Sequence, residues 1–155
     1  MTYLFILLVF VFVTYVSSIW IKYGVLPSIS DSYYKLPEKW NFLFTLFCWG
    51  FAVPAIIAGV ETTILMFFAG TGICFVGAAA EINDKWVYRI HMIAAISGIL
   101  FSQLAIFFGY HMLYVNIISI LLASIILLLS KINYFWWIEL VAFSSICYTI
   151  GTSIF

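Results

Sequence analysis

The chain has 155 residues, 66% hydrophobic and only 8% charged. A soluble domain carries roughly 25% charged residues, so this composition excludes a water-soluble globule, which has no place to hide that much apolar surface. Six basic and six acidic residues cancel, which excludes a nucleic-acid surface or a polybasic arm as a bulk property.

A spanning helix takes about 20 mostly apolar residues, so there is room for about six spans and little else. The expected fold is therefore all-α: a polytopic membrane helix bundle of six transmembrane helices, with residues 1–155 forming a single transmembrane domain.

The first span is Tyr3 to Ile21, closed by Trp20, Lys22 and Tyr23 as an interfacial anchor. It lacks a basic leader, and Val16-Ser17-Ser18 imitates a cleavage site poorly, so it reads as a span and not as a cleaved signal. Residues 24–39 (GVLPSISDSYYKLPEK) form the one long polar stretch, a loop that lies on the surface or re-enters the membrane.

The second span runs from about Trp40 to Ala58, with Pro54 inside it, and the third from Thr62 to Ala80. So short a turn makes these two antiparallel neighbours. After the charged loop Glu81 to Lys85 come a fourth span (Val87 to Phe108), a fifth (Met112 to Leu129) and a sixth (Tyr134 to Ile154).

Six alternating spans put the loops after spans one, three and five on one side, with both termini on the other. All six basic residues then gather on the first side: Lys22, Lys35, Lys39, Lys85, Arg89 and Lys131. The positive-inside rule makes that side cytoplasmic and both termini non-cytoplasmic, in a cell membrane. Trp20, Trp40, Trp86, Trp136 and Trp137 lie at the same boundary as an aromatic belt, with Trp49 deeper.

The only polar constellation lies at that face: Ser28, Ser30, Asp31, Glu81, Asp84, Arg89, His91 and Glu139 are the candidate ligand-binding residues. Of these, His91, Asp31 and Glu81 are the candidates for catalysis. His91 sits about 7 Å deeper than Trp86 at 1.5 Å per residue, close enough for Glu81 or Asp84 to interact with it.

Gly70, Cys74, Gly77 and Glu81 share one stripe of span three. His91, Ala95, Gly98 and Ser102 share one of span four, and Asn41, Thr45, Cys48 and Ala52 one of span two. Stripes of small residues permit close helix approach in lipid. Alternatively they surround a polar pocket open to the charged face, with Glu81 and His91 on its wall.

No metal site is expected, because the only other histidine, His111, lies a whole span away, about 30 Å. No cofactor is expected either. Cys48, Cys74 and Cys147 fall in apolar runs and read as small hydrophobes. The serines around Asp31 form no G-x-S-x-G elbow and read as turn and cap residues.

Leu26-Pro27-Ser28-Ile29-Ser30-Asp31, followed by Leu36-Pro37-Glu38-Lys39 and an apolar span, resembles the first loop of the DRAM/Sfk-type six-helix membrane protein family, where P-x-I-S-D precedes P-P-E. Gly72 to Gly77 and His91 to Ala95 are similar to that family's G-x-x-x-V-G and H-x-x-G-A.

The resemblance implies a six-helix protein tied to membrane trafficking, autophagy and lipid organisation, without catalysis, and a shared polar cluster at Ser30, Asp31 and His91. Tyr33-Tyr34 departs from the family's Thr-Gly, and Lys35-Leu36 from its apolar-Pro. The family's usual orientation places this loop outside, opposite to the basic-residue count. A more distant similarity is to ceramidase and progestin-receptor-like hydrolases, whose zinc needs three histidines where this chain supplies one.

Three functions fit the sequence. The first is a non-enzymatic bundle that binds a membrane lipid, another apolar ligand or a partner protein, and that assembles with copies of itself or another membrane protein; no nucleic acid is expected as a partner. The second is an intramembrane, metal-dependent lipid hydrolase with His91 as acid or base. The third is a small transporter or channel component using Glu61, Glu81 and Glu139.

Overall fold

The computed structural model describes residues 1–80 and 84–155, so Glu81, Ile82 and Asn83 lie outside the described residues. Helix α1, Thr2–Tyr23, is dense in Phe, Leu and Val, and its end is set by Gly24 at φ +76°, a backbone state that side chains resist. The chain then makes a short helix α2, Ser32–Lys35, and a 3₁₀ turn, Glu38–Trp40, before α3, Phe42–Gly59, which holds Pro54.

Helix α4 is Ile64–Ala78, started by the Thr63 hydroxyl, which accepts from the Leu65 N–H at 3.3 Å. Helix α5, Lys85–Leu104, begins on Asp84, whose carboxylate accepts from the Trp86 and Val87 N–H groups at 2.7 and 3.2 Å. It continues as a π turn, Ala105–Gly109. Helix α6 is Leu113–Leu129, and α7, Tyr134–Ile154, follows Asn133 in the left-handed region. The described chain contains no strand.

Four helical stretches are long and apolar enough to cross a membrane: Thr2–Tyr23, Glu38–Gly59, Lys85–Gly109 and Tyr134–Ile154. Helices α4 and α6 are equally apolar but shorter, at 15 and 17 residues. The six expected apolar helices thus all form, with bounds close to those read from the sequence.

In space the order runs α5, α4, α3, α1, with α7 set against α1 and α3, and α6 outside against α7. What brings α3, α4 and α5 so close is missing side-chain volume. A Cβ added at Gly72 of α4 would lie 2.8 Å from the Gly98 Cα and 2.9 Å from the Ala94 carbonyl of α5. One at Gly77 would meet Cys48 of α3 at 2.6 Å. Small residues therefore do what lipid-phase packing requires of them.

Polar groups tie the same pair, since Thr45 donates to the Gly77 carbonyl at 2.8 Å and the Trp49 indole to the Cys74 carbonyl at 3.0 Å. Between α7 and its neighbours the contact is aromatic. Phe143 lies 4.7 Å from Phe51, 5.4 Å from Phe47 and 5.6 Å from Phe12, ring centre to ring centre.

Two expectations change. Trp136 does not belong to an interfacial belt, because its side chain is fully buried. The segment after α1 is not a free loop: Leu26, Ile29 and Ser32 are buried in the end of the bundle.

Candidate functional site

Residues 25–32 are fastened across one end of the bundle, mostly by α7. The Asn133 amide donates to the Val25 carbonyl at 3.0 Å, and the Trp136 N–H, one of the donors that the first turn of α7 leaves without a helical partner, reaches the Pro27 carbonyl at 3.2 Å. The Ile29 N–H donates to Glu139 Oε2 at 2.5 Å. On the other side, Tyr15 of α1 shares a hydrogen bond of 2.7 Å with Ser32, whose hydroxyl donates to the Ile29 carbonyl.

Within the loop, the Ser28 hydroxyl donates to Asp31 Oδ2 at 2.7 Å and accepts from the Asp31 N–H at 3.1 Å, and Ser30 lies 2.8 Å from Ser28. This closed turn is the arrangement Ser and Asp adopt in loops generally.

Beneath this roof lies a cavity of about 50 Å³. Its walls come from α3 (Phe44, Cys48), α4 (Ile73, Val76), α5 (Ala95, Gly98) and α7 (Phe143, Ile146), and Ser30 and Glu139 stand at its roofed end. Helices α5 and α7, which both line the cavity, touch each other only sparsely.

The stripes divide between the two readings: Gly70 and Gly77 of span three pack closely against α3, while Cys48 of span two and Ala95, Gly98 and Ser102 of span four line a cavity whose walls are apolar apart from Ser30, Cys48, Ser102 and Glu139. An apolar stripe in lipid carries no signal that distinguishes a cavity wall from a helix contact, and only the assembled helices show which it is.

His91 is not on that wall. It is buried, and its Nδ1 lies 2.9 Å from the Ala79 carbonyl. A carbonyl only accepts, so Nδ1 carries the proton and the ring holds one of the carbonyls that the end of α4 leaves over. Its partner is backbone and not a carboxylate.

Asp84 is engaged in starting α5, and the Arg89 guanidinium lies over the Trp86 ring at 5.3 Å. Glu81 lies outside the described residues. Of the eight candidate ligand-binding residues, the structure gathers Ser28, Ser30, Asp31 and Glu139 at the roofed end and sets His91, Asp84 and Arg89 at separate tasks.

Among the described residues, no three His, Cys, Asp or Glu side chains are grouped to hold a metal ion. Sequence reasoning did not single out Phe44, Phe143 or Ile146 as wall residues, and nothing in an apolar helix marks them. Compared with protein-family models, with curated proteins and with solved structures, the chain matches none.

Proposed function

We propose that this is a six-span protein of a cell membrane, both termini on the non-cytoplasmic side, which binds a membrane phospholipid between its helices and performs no chemistry on it. The single observation that carries this reading is the cavity where α5 and α7 touch only sparsely: apolar walls for a chain, with Ser30 and Glu139 at one end. The cavity, about 50 Å³, holds little more than a chain end, so in this reading the rest of the lipid lies outside it, between the sparsely touching α5 and α7.

All six Lys and Arg residues fall in or beside the loops at the roofed end. There they place cations at headgroup level, where each contributes about 1 kcal/mol with anionic lipid. The resemblance of residues 26–39 to a six-helix membrane family supports the span number. Helices α4 and α6, at roughly 22 and 26 Å by helical rise, cross once a few flanking residues and local thinning are counted. His91, held on a backbone carbonyl, has no substrate-facing role in this reading.

The test is native mass spectrometry of the purified full chain in phospholipid nanodiscs. The wild type is expected to retain phospholipid, and Ala95→Trp, which fills the cavity from α5, to lose it at least tenfold with helix content unchanged. Equal retention by a folded Ala95→Trp protein overturns the reading. Cysteine labelling at Lys35→Cys and Glu61→Cys fixes orientation, with Lys35 expected to react from the cytoplasm and Glu61 from outside.

A further inference from the structure

Four polar side chains line the cavity: Ser30 of the roof, Cys48 of α3, Ser102 of α5 and Glu139 of α7. Where their protons go decides what the space can hold, because at this depth no bulk water completes a missing hydrogen bond.

The Ser28 hydroxyl has one proton and gives it to Asp31 Oδ2 at 2.7 Å. In the 2.8 Å contact between Ser28 and Ser30 the proton must then come from Ser30. Ser102 gives its own proton to the Ile99 carbonyl at 2.7 Å. Both hydroxyls of the wall have thus spent their protons within the protein, and only lone pairs remain on their oxygens.

Glu139 adds a further acceptor. Its Oε2 takes the Ile29 N–H, the one hydrogen bond that this carboxyl makes among the described residues, and no Lys, Arg or His there pairs with it. Oε1 is left over. It is not one of the wholly enclosed atoms without a partner, which are the Tyr110 and Thr149 hydroxyls, so it borders open space, and the space that Glu139 lines is the cavity. A buried carboxyl escapes the cost of an isolated charge by holding a proton or by meeting a cation. The cavity beside it leaves room for the cation.

The occupant must therefore bring protons and positive charge. A methyl end of an acyl chain would set these acceptors against hydrocarbon. Size narrows the choice further. Roughly 10 to 15 Å³ of such space holds one water, so the 50 Å³ here seats about three or four heavy atoms. Two carbons and an ammonium nitrogen fit. The trimethylated nitrogen of choline, with three carbons more, overfills the space and has no N–H to give. A serine headgroup carries the ammonium but sets a carboxylate beside Glu139, and a glycerol headgroup brings hydroxyl protons without the charge.

We propose that the cavity seats the primary ammonium of an ethanolamine phospholipid, its N–H groups on Glu139 Oε1 and Ser30 Oγ, its methylenes on the apolar wall and its phosphate outside, toward the loops that hold the six Lys and Arg residues. This rests on the phospholipid reading above and adds the headgroup that the site selects.

The test is native mass spectrometry of the full chain from nanodiscs that hold equal amounts of phosphatidylethanolamine, its N-methyl and N,N-dimethyl forms and phosphatidylcholine, all with the same acyl chains. The series removes N–H donors one at a time and leaves phosphate and chains unchanged. Retention by the wild type is expected to fall along it, at least tenfold from end to end. Glu139→Gln is expected to bring the ethanolamine and choline lipids within twofold of each other while total phospholipid is kept. Ser30→Ala, which leaves the Ile29 contact with Glu139 in place, is expected to cut the preference by roughly two- to tenfold, the worth of one hydrogen bond.

Equal retention of all four lipids by the wild type overturns the proposal and leaves the phospholipid reading standing, as does an undiminished preference in both folded variants. Retention of no phospholipid at all removes that reading, and this proposal with it.

Discussion

Helices α3 and α6 are about equally apolar and nearly equal in length, yet α3 buries nine of its 18 residues and α6 two of its 17. The difference lies in packing and not in hydrophobicity: α3 sits between α1 and α4, burying Phe44, Phe47 and Phe51 as well as its small residues, whereas α6 lies outside against α7. Lipid tails are as apolar as leucine, so a helix such as α6, with Ile-Leu-Leu and Leu-Leu-Leu runs and no glycine, gains little by leaving lipid for protein. Helix α3 offers Cys48 and Ala52 to the glycines of α4, and the backbones come close enough for dispersion and hydrogen bonds to act. Helix α6 is held instead by Asn116 on Gln103, at 3.0 and 3.1 Å.

The sharpest way to break this contrast is at the α4–α5 crossing. Gly72→Val puts carbon into backbone on the facing helix and is expected to cost about 3 kcal/mol, the upper range for overpacking. Gly98→Ala, whose added Cβ meets nothing nearer than 3.4 Å, is expected to cost less than about 1 kcal/mol. Reversible unfolding in mixed micelles measures both, and equal losses at the two glycines would show that the crossing is not set by Gly72.

A second comparison is between the two ends of the bundle, since the roof over residues 25–32 hangs on α7. Glu139→Leu leaves the Ile29 N–H without its acceptor and is expected to cost about 2 kcal/mol. Glu139→Gln keeps an acceptor oxygen and is expected to cost half that or less. Hydrogen exchange at Ile29 reads the effect directly, and unchanged protection in Glu139→Leu would place the latch elsewhere, on Asn133 or Trp136.

The smallest effect is expected at α6. Asn116→Leu removes two side-chain hydrogen bonds that within a membrane are worth roughly 0.6 kcal/mol each, so about 1 kcal/mol in all. The loss should appear as faster cysteine labelling along α6 with the stability of α3 to α5 unchanged. A global loss would mean that α6 is integral to the core.

Much of this was legible in the chain. Each expected span is matched by a helix with similar bounds, because 15 or more apolar residues between charged turns leave the backbone only the helix as a way to pair its own polar groups. The Ser28–Asp31 turn follows from residue chemistry in the same way.

The candidate site was half legible. Ser30 and Glu139, named among the candidate ligand-binding residues, do stand over a cavity, whereas His91, the leading candidate for catalysis, holds a carbonyl at the end of α4. A histidine at that depth has the same sequence signature whether it faces a cavity or a carbonyl.

What the sequence determined alone is the class of the protein, its apolar helices and the gathering of its charge toward one set of loops, all consequences of composition and of turns that charge makes visible. Which face of each helix looks inward, where Trp136 goes, and that the assembled helices leave a cavity beside α7 were decided only by tertiary structure. Helices apolar all round present no stripe to read, and in lipid their partners are chosen by close steric fit, which pattern does not encode.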